Sequence, residues 1–333
     1  MITESRLKEI VQKFPYAHPI IVVGDIGIDK YTIGEVKRIS PEAPVPIIEV
    51  VKEQLKLGLA ANVSHNLKTL GMNSTLCGVL GGDSHADIFE RLLEDINLTT
   101  WGVVRDETRR TTYKERVVTD TQQICRVDYE TKRNISEAVE NRIMKRIKDF
   151  YKDHNSIIIE DYSKGTLTES LIKEIIQSGI SNSKFVAVDP GKDTNPRFYE
   201  NCSLIKPNLS EAKLIVQKLG YQPSSIEDMA RIIQSEIKSE IVIITLGPDG
   251  MALLDSKEFR IIPTLAMEVF DVSGAGDTAI SAIVASLHLG ASLDEAAWIA
   301  NLASGVVVGK KGTATVNVNE LLSFYKRIST KGN

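Results

Sequence analysis

The 333-residue chain has little cysteine and little histidine. Its three cysteines are odd in number and far apart, which excludes a disulfide framework and a C-x-x-C pair. The five histidines show no H-x-x-H or H-x-x-x-H spacing, which argues against a histidine-based zinc site. No run of about 18 or more apolar residues occurs, and the N-terminus lacks the apolar core of a signal peptide. These absences predict a protein of the reducing cytoplasm that has no membrane partner.

The chain also lacks an excess of charge of either sign. Its 40 Lys and Arg residues stand against 44 Asp and Glu residues, giving a formal net charge of −4. Such a surface gives no electrostatic reason to expect nucleic acid or an anionic membrane as a partner. Hydrophobic residues make up 42% and charged residues 25%, which is typical of a globular chain. The length allows two compact domains or one large α/β domain, and an enzyme or a binding protein.

Short apolar strands alternate with helical patterns over most of the chain, and from residue 136 they do so with little interruption. This alternation predicts a doubly wound, mainly parallel sheet with helices on both faces. The predicted strands are 20–23, 75–80, 156–160, 185–189, 202–206 and 241–246, followed by a hairpin at 251–255 and 258–262. The predicted helices are 60–70, 85–95, 136–151, 167–178, 209–219, 225–237, 275–289, 293–308 and 318–328.

Two segments, at about 31–51 and 101–129, do not fit this alternation. The first contains Pro41, Pro44 and Pro46 among β-branched residues, so it is expected to be extended and irregular, with strand character at 45–51. The second contains short alternating stretches typical of strands. We expect both to be insertions that pair into one small β-sheet outside the main body.

One loop carries a chemical signature, D-V-S-G-A-G-D-T at 271–278, directly before an apolar helix. Glycines at a helix start let backbone N–H groups converge, and the helix dipole adds positive potential there, so the loop favours an anion. Asp277 within it has two interpretations. An acid is favoured in any first helical turn on dipole grounds, whereas a carboxylate inside an anion hole also suits a general base in phosphoryl transfer.

This loop resembles the C-terminal signature of the ribokinase-like, or PfkB, carbohydrate kinases. Within that family, the G-D-I-G-I-D-K-Y run at 24–31 and the R-I-S-P-E-A-P-V-P run at 38–46 are most similar to kinases of D-glycero-β-D-manno-heptose 7-phosphate. The resemblance implies ATP- and Mg²⁺-dependent phosphorylation of the anomeric hydroxyl to give the 1,7-bisphosphate, in the synthesis of ADP-heptose for lipopolysaccharide. It also implies that Asp277 is the catalytic base and that the amides of Gly274, Ala275 and Gly276 hold the γ-phosphoryl group.

The resemblance implies nucleotide contacts in three further places. The N-L-S-E run places Asn208, Ser210 and Glu211 at the nucleotide phosphates, with Glu211 reaching Mg²⁺ through water. The same spacing at a helix start is also that of a capping box. Thr245 and Gly247 resemble the nucleotide-side loop of the family, and Asn301 falls on the helix near the base. An ordinary strand-to-turn junction and an ordinary helix polar contact are the alternatives.

For the sugar, the resemblance implies contacts from Asp25 and Asp29 after the first strand. Gly58 and Asn62 match a G-G-A-A-N segment, although Leu59 stands where the family has a second glycine. A glycine there permits a positive φ or a close backbone approach, so Leu59 favours the alternative of a different sugar, sugar phosphate or nucleoside.

Arg38 and Lys164 are the candidate cations for the phosphate of the substrate. Each is more often a solvated surface charge when considered alone.

The remaining expectations concern organisation. The insertions correspond to a lid that covers the sugar and forms a homodimer in the family, and Asp271 and Ser273, with backbone near 308–313, resemble its site for K⁺. We expect residues 1–333 to form one kinase domain. The histidines lie outside any H-x-G-H motif, so we expect no nucleotidyltransferase domain, and adenylyl transfer would need a separate protein. A non-catalytic sensor is a further alternative.

Overall fold

The computed structural model describes residues 2–120, 122–265 and 269–331. Its strands are β1 (Ile20–Gly24), β2 (Ile26–Ile39), β3 (Pro46–Leu59), β4 (Ser74–Leu80), β5 (Val103–Arg105), β6 (Thr112–Val118), β7 (Gln123–Tyr129), β8 (Ser156–Glu160), β9 (Phe185–Asp189), β10 (Leu204–Ile205), β11 (Ile241–Thr245), β12 (Met251–Leu254) and β13 (Phe259–Ile262). Its α-helices are α1 (Glu4–Val11), α2 (Ala60–Thr69), α3 (Ser84–Asp95), α4 (Glu137–Asp149), α5 (Glu169–Ser181), α6 (Leu209–Lys218), α7 (Ile226–Ile237), α8 (Ala275–His288), α9 (Leu293–Val307) and α10 (Val318–Lys331). None of these helices is long and apolar enough to cross a bilayer.

The main body is a twisted sheet that, within the described residues, has the order β13-β12-β11-β10-β9-β8-β1-β4-β5. Neighbours from β5 to β11 are parallel, and β12 and β13 add an antiparallel hairpin. Alternate side chains of β1 enter two cores. Ile20 and Val22 pack with α1, α2, α3, α8, α9 and α10, whereas Ile21 and Val23 pack with α4, α5, α6 and α7. The predicted doubly wound fold with helices on both faces is therefore confirmed.

The small sheet has the order β3-β2-β6-β7 in the described part of the chain. Its β2 and β3 form one long antiparallel ribbon, so the expectation of an irregular segment at 31–51 is wrong. The prolines do not interrupt the ribbon, because Pro41 and Pro44 lie in the connecting turn and Pro46 is the first residue of β3, where a missing N–H is tolerated. Val103–Arg105 is also corrected, since it pairs with β4 in the large sheet.

The ribbon emerges from the carboxyl end of β1 and returns directly into α2. Only Asp25 separates β1 from β2, and its carbonyl oxygen accepts the N–H of Ala60, the first residue of α2, at 3.0 Å. Gly24 permits the close packing at this crossing, because a Cβ there would lie 2.1 Å from the carbonyl oxygen of Glu160. The small sheet therefore stands over the edge where the parallel strands end.

Leu59, at the end of this ribbon, has φ 58° and ψ −140°. This is a backbone conformation that glycine adopts readily and other residues adopt at a cost of about 1–3 kcal/mol. The Leu59 side chain is 7% exposed and packs in the interior. The chain therefore keeps the backbone geometry of a glycine although the residue is a leucine, which weakens the argument for an altered sugar pocket.

This strain predicts that a glycine variant at position 59 is more stable than the alanine variant, which is the reverse of the usual order within a helix. Leu59→Gly and Leu59→Ala both lose the buried side chain, but only the glycine relieves the positive φ, so Leu59→Gly should be the more stable by about 1 kcal/mol. The measurement is the free energy of unfolding in urea. Leu67, buried near the C-terminal end of α2, is the matched control. There the alanine variant should be more stable than the glycine variant by about 1 kcal/mol. The same order at both positions would contradict the account.

Candidate active site

A cleft runs along the carboxyl ends of β8 to β11, where ligands bind in open α/β sheets. It consists of two adjoining pockets of about 510 Å³ and 380 Å³. Four residues line both pockets: Thr245, Gly247, Val272 and Gly276. The larger pocket is lined by charged side chains: Glu160, Asp161, Asp189, Lys192, Lys206, Glu211 and Asp277. The smaller one is lined mainly by apolar groups and glycines, so the cleft has a charged half and an apolar half.

The N-terminus of α8 lies where the two pockets meet. Gly274 caps the helix at φ 81°, and a Cβ there would lie 2.9 Å from the side-chain nitrogen of Asn62, so the turn requires glycine. The N–H of Ala275 donates to the carbonyl oxygen of Val272 at 3.2 Å, so this member of the predicted anion hole is engaged in the turn. Gly276 lines both pockets, which places the positive end of the helix dipole at their junction.

Asp277 lies in the first turn of α8 and is 7% exposed. Its Oδ1 accepts the hydroxyl of Tyr162 at 2.7 Å, and its Oδ2 accepts the side-chain amide of Asn62 at 2.6 Å. Burial raises the pKa of Asp277, and the two hydrogen bonds oppose that rise. A buried carboxylate held at both oxygens has the fixed orientation that a general base needs.

Asn62 is positioned by a series of hydrogen bonds within α2 and between α2 and α8. Thr278 donates to the Oδ1 of Asn66 at 2.8 Å, and the amide of Asn66 donates to the carbonyl oxygen of Asn62 at 2.9 Å. One turn further, Ser281 donates to the carbonyl oxygen of Val63 at 3.2 Å. The resemblance assigned Asn62 to the sugar, whereas the structure places its amide on Asp277.

A buried charge cluster beside Asp277 was missed by the sequence reasoning. Lys206 is 2% exposed, and its Nζ lies 2.7 Å from the carboxylate of Asp189. Burial raises the pKa of Asp189 to about 7 and raises that of Glu160, whose Oε2 is buried without a hydrogen-bond partner among the described residues. Burial alone would lower the pKa of Lys206, but the carboxylates of Asp189 and Glu160 outweigh it. The sequence did contain a signal for this cluster, because Glu160 and Asp189 are each the last residue of a predicted parallel strand. In the structure the two residues are direct neighbours in the register of β8 and β9.

The capping-box interpretation of the N-L-S-E run is confirmed, and its interpretation as a nucleotide contact stays a prediction. Asn208 and Glu211 form the capping box, with the two reciprocal bonds at 2.9 and 2.8 Å, and both residues line the charged pocket. Ser210 is exposed and is not among the residues that line it. Thr245 and Gly247 line both pockets. Asn301 lines the apolar pocket, and its amide donates to the carbonyl oxygen of Pro263 at 3.0 Å.

Asp25 anchors the loop after β8. It is 1% exposed, and its carboxylate accepts three backbone N–H groups, those of Tyr162, Lys164 and Thr166, at 3.0–3.1 Å. Through these bonds Asp25 fixes the loop that contains Tyr162, and the hydroxyl of Tyr162 donates to Asp277. The structure thus gives Asp25 a positioning role that the sequence did not predict.

The second predicted sugar-binding carboxylate, Asp29, lies on the small sheet. Its Oδ1 is 2.5 Å from the guanidinium of Arg116, and its Oδ2 accepts the hydroxyl of Thr313 at 3.4 Å. Gly58 lies diagonally across on β3, where it pairs with Gly27. A Cβ at Gly58 would be 2.8 Å from Oδ2 of Asp29, so the absent side chain makes room for this carboxylate.

The two predicted phosphate-binding cations are not brought together. The ammonium of Lys164 is paired with Glu130 at 2.7 Å. Arg38 is exposed near the far end of β2, nine residues beyond Asp29, which corresponds to about 30 Å along an extended strand. Within one chain, Arg38 is therefore remote from Asp277.

The loops of Asp271 and of residues 308–313 do meet, as expected. The carboxylate of Asp271 accepts the N–H of Ser273 at 2.9 Å and that of Gly312 at 3.0 Å. The next N–H, that of Thr313, donates to the hydroxyl of Tyr31 on β2 at 3.0 Å. The turn before α8 is thereby connected to the small sheet.

Oxygen donors for a divalent cation are present, but they do not form a complete cage. Across the described residues, no group of three His, Cys, Asp or Glu side chains is placed to hold a metal ion. The carboxylates of Glu160, Asp189 and Glu211 do line one pocket, and the buried Oε2 of Glu160 accepts no hydrogen bond from the part of the chain that the structure describes. This donor set fits Mg²⁺, which usually takes one or two carboxylates and completes its shell with water and substrate phosphates.

Comparison with known proteins identifies the family. Residues 23–320 match the pfkB family of carbohydrate kinases. The chain belongs to this family. It is 39% identical over 305 residues to the bifunctional protein HldE of Sulfurimonas denitrificans, covering 92% of this chain and 64% of that protein. It is 41% identical over 304 residues to HldE of Desulfatibacillum aliphaticivorans, covering 91% and 62%. The chain thus spans a little under two thirds of the length of these relatives.

Solved structures share the fold of this pfkB kinase. Phosphofructokinase-2 of Escherichia coli in complex with potassium matches with a TM-score of 0.78 and 19% identity, over 94% of this chain and 99% of that one. Ribokinase of Arabidopsis thaliana, complexed with ribose and ATP, matches with a TM-score of 0.71 and 20% identity, over 93% and 99%. At these identities the likeness establishes the ribokinase-like fold and no more.

Proposed function

We propose that this kinase transfers the γ-phosphoryl group of ATP to the anomeric hydroxyl of D-glycero-β-D-manno-heptose 7-phosphate and forms the 1,7-bisphosphate used for ADP-heptose. The observation that carries the reaction type is the carboxylate of Asp277, buried at the N-terminus of α8 beside a charged pocket. The substrate rests on the R-I-S-P-E-A-P-V-P run at 38–46 and on the 38–41% identity to HldE proteins.

In this reaction Asp277 takes the proton of the anomeric hydroxyl as its oxygen attacks phosphorus. The N-terminus of α8, presented at Gly276, stabilises the negative charge on the transferring group. Tyr162 and Asn62 keep the base oriented, and the hydroxyl of Tyr162 leaves Oδ1 when the sugar hydroxyl replaces it.

The division of the cleft supports the placement of the nucleotide. The apolar pocket accepts the base between Val269, Val272 and Val308, and the charged pocket accepts the phosphates. Glu211 would hold Mg²⁺ through water, with Asp189 as a second carboxylate in the same pocket. When bound, the ion neutralises charge on the phosphates.

The connection of Asp271 to Ser273 and Gly312 supports a monovalent cation site, which we propose for K⁺. Here the cation would balance Asp271 and hold the turn before α8 in the conformation that presents Gly276.

We further propose a homodimer formed through the small sheet. Its long ribbon and β7 expose apolar side chains to solvent: Val36, Ile39, Val50, Val51, Leu55 and Val127. An exposed apolar surface of this kind marks an interaction site. Sedimentation equilibrium should give the mass of two chains, and Ile39→Glu with Val51→Glu should give the mass of one. Ile180→Glu, an exposed site on α5, is the control and should leave the dimer intact. A monomeric wild type would contradict the proposal.

The substrate is tested by a panel of acceptors with ATP and Mg²⁺: heptose 7-phosphate, fructose 6-phosphate, ribose and adenosine. The specificity constant kcat/KM should be highest for heptose 7-phosphate, and phosphorus NMR should show the 1,7-bisphosphate. Equal or better use of another acceptor would refute the substrate. ATP binding without any transfer would instead indicate a sensor.

The control in this panel is Asp277→Asn, which keeps the shape of the base but does not accept the proton. It should still bind ATP, and its turnover should fall by about 100- to 10,000-fold, the usual contribution of a general base.

A further inference from the structure

The small sheet presents three cations around one carboxylate. In the register of the strands, Asp29 of β2 lies opposite Lys56 of β3 and Lys114 of β6, and Arg116 follows two residues further along β6. Because side chains alternate along a strand, these four lie on the same face of the sheet. Oδ2 of Asp29 accepts the hydroxyl of Thr313, and a Cβ on Gly274, which caps α8, would lie 3.3 Å from the methyl group of Thr313. This face of the sheet is therefore turned toward the start of α8.

Two of these cations already have partners. Arg116 is paired with Asp29 at 2.5 Å, and the ammonium of Lys56 donates to the carbonyl oxygen of Thr313. Lys114 differs from both, since its ammonium has no ion pair within 4.0 Å and no hydrogen bond to any of the residues that the structure describes.

The acids near Lys114 are neutralised by other groups. Asp29 is held by Arg116, Asp128 by Arg126 at 2.8 Å, and Glu130 by Lys164 at 2.7 Å. Lys114 is therefore a surplus positive charge on this face. Its surroundings are largely desolvated, and burial lowers the pKa of its ammonium. A partly buried ammonium without a counter-ion is costly, and a bound anion would remove that cost.

The position of Lys114 indicates which anion binds there. Its Nζ lies 5.9 Å from the centre of the Tyr162 ring, and the hydroxyl of the same ring donates to Asp277 at 2.7 Å. The ammonium and the base are thus separated by one aromatic side chain. A sugar whose hydroxyl reaches Asp277 would extend its far end toward Lys114.

We propose that Lys114 binds the phosphate group that the acceptor sugar already carries. This inference rests on the proposed function, and it replaces Arg38 and Lys164 as the source of specificity for a phosphorylated acceptor. A lysine suits the role, because its ammonium is a point charge that forms strong, charge-assisted hydrogen bonds with phosphate oxygens. Lys114 then determines specificity without touching the reacting atoms.

The test compares the acceptor with and without its phosphate. Lys114→Met keeps most of the length of the side chain and removes the charge, so kcat/KM for heptose 7-phosphate should fall roughly 10- to 100-fold, the equivalent of one lost charge-assisted contact. The value for unphosphorylated heptose and the KM for ATP should stay within about twofold of wild type. Lys52→Met, at an exposed lysine of β3 with no ion pair in the described structure, is the matched control and should change neither value.

Two outcomes would overturn the role of Lys114. An equal fall in kcat/KM for heptose 7-phosphate and for unphosphorylated heptose would show that Lys114 has a structural role. An unchanged kcat/KM for heptose 7-phosphate would show that the phosphate binds elsewhere. Lys114→Arg, which keeps the charge, should recover part of the preference for heptose 7-phosphate over unphosphorylated heptose.

Calorimetry with heptose 7-phosphate in the absence of nucleotide separates this proposal from the proposed function. Wild type that binds the sugar phosphate without phosphorylating it would contradict the proposed reaction alone. Equal affinity of wild type and Lys114→Met would refute the role of Lys114 whatever the reaction.

Discussion

The ion pair between Lys206 and Asp189 is the interaction on which the candidate site depends. Five carboxylates, those of Glu160, Asp161, Asp189, Glu211 and Asp277, line one pocket. Burial raises the pKa of four of them, Glu160, Asp161, Asp189 and Asp277. The buried ammonium of Lys206 opposes this effect, which is one of the causes that hold down the pKa of Asp277. The parallel sheet makes the arrangement possible, because β8, β9 and β10 end side by side and deliver an acid, an acid and a lysine to one edge.

The second constraint is the crossing at Asp25. The chain leaves the large sheet at Gly24, enters the small sheet at Ile26 and returns at Ala60, so the ribbon of β2 and β3 begins and ends beside the candidate site. From the small sheet, contacts run through Tyr31, Thr313 and Gly312 to Asp271, which holds the turn before α8. A movement of the small sheet would therefore be transmitted to the N-terminus of α8, where Asp277 lies.

Much of the main body could be predicted from the sequence, because its elements are determined locally. The apolar run at 20–23 identifies a buried strand, and two glycines before an apolar helix identify the turn that carries Asp277. The length of β2 and β3 could not be predicted, because the polar residues and prolines of that region lack the pattern of a half-buried strand and the pairing comes from the partner strand.

The site itself was predictable only in part. Asp277 and the capping box of Asn208 and Glu211 follow from short motifs. The contacts of Tyr162 and Asn62 with Asp277 join residues 115 and 215 positions apart, which no local pattern reveals. The same holds for the surplus charge of Lys114, since it becomes apparent only when the partners of its neighbours are known.

The pH dependence of kcat/KM in the variant Lys206→Met tests the central claim most directly. Removing the ammonium leaves desolvation and the remaining acids to raise the pKa of Asp277, so the acid limb of the profile should move to higher pH by about one unit. Lys213→Met, at an exposed lysine of α6, should leave the limb in place. An acid limb at the same pH in wild type and in a folded Lys206→Met protein would contradict the account, whatever the loss in rate.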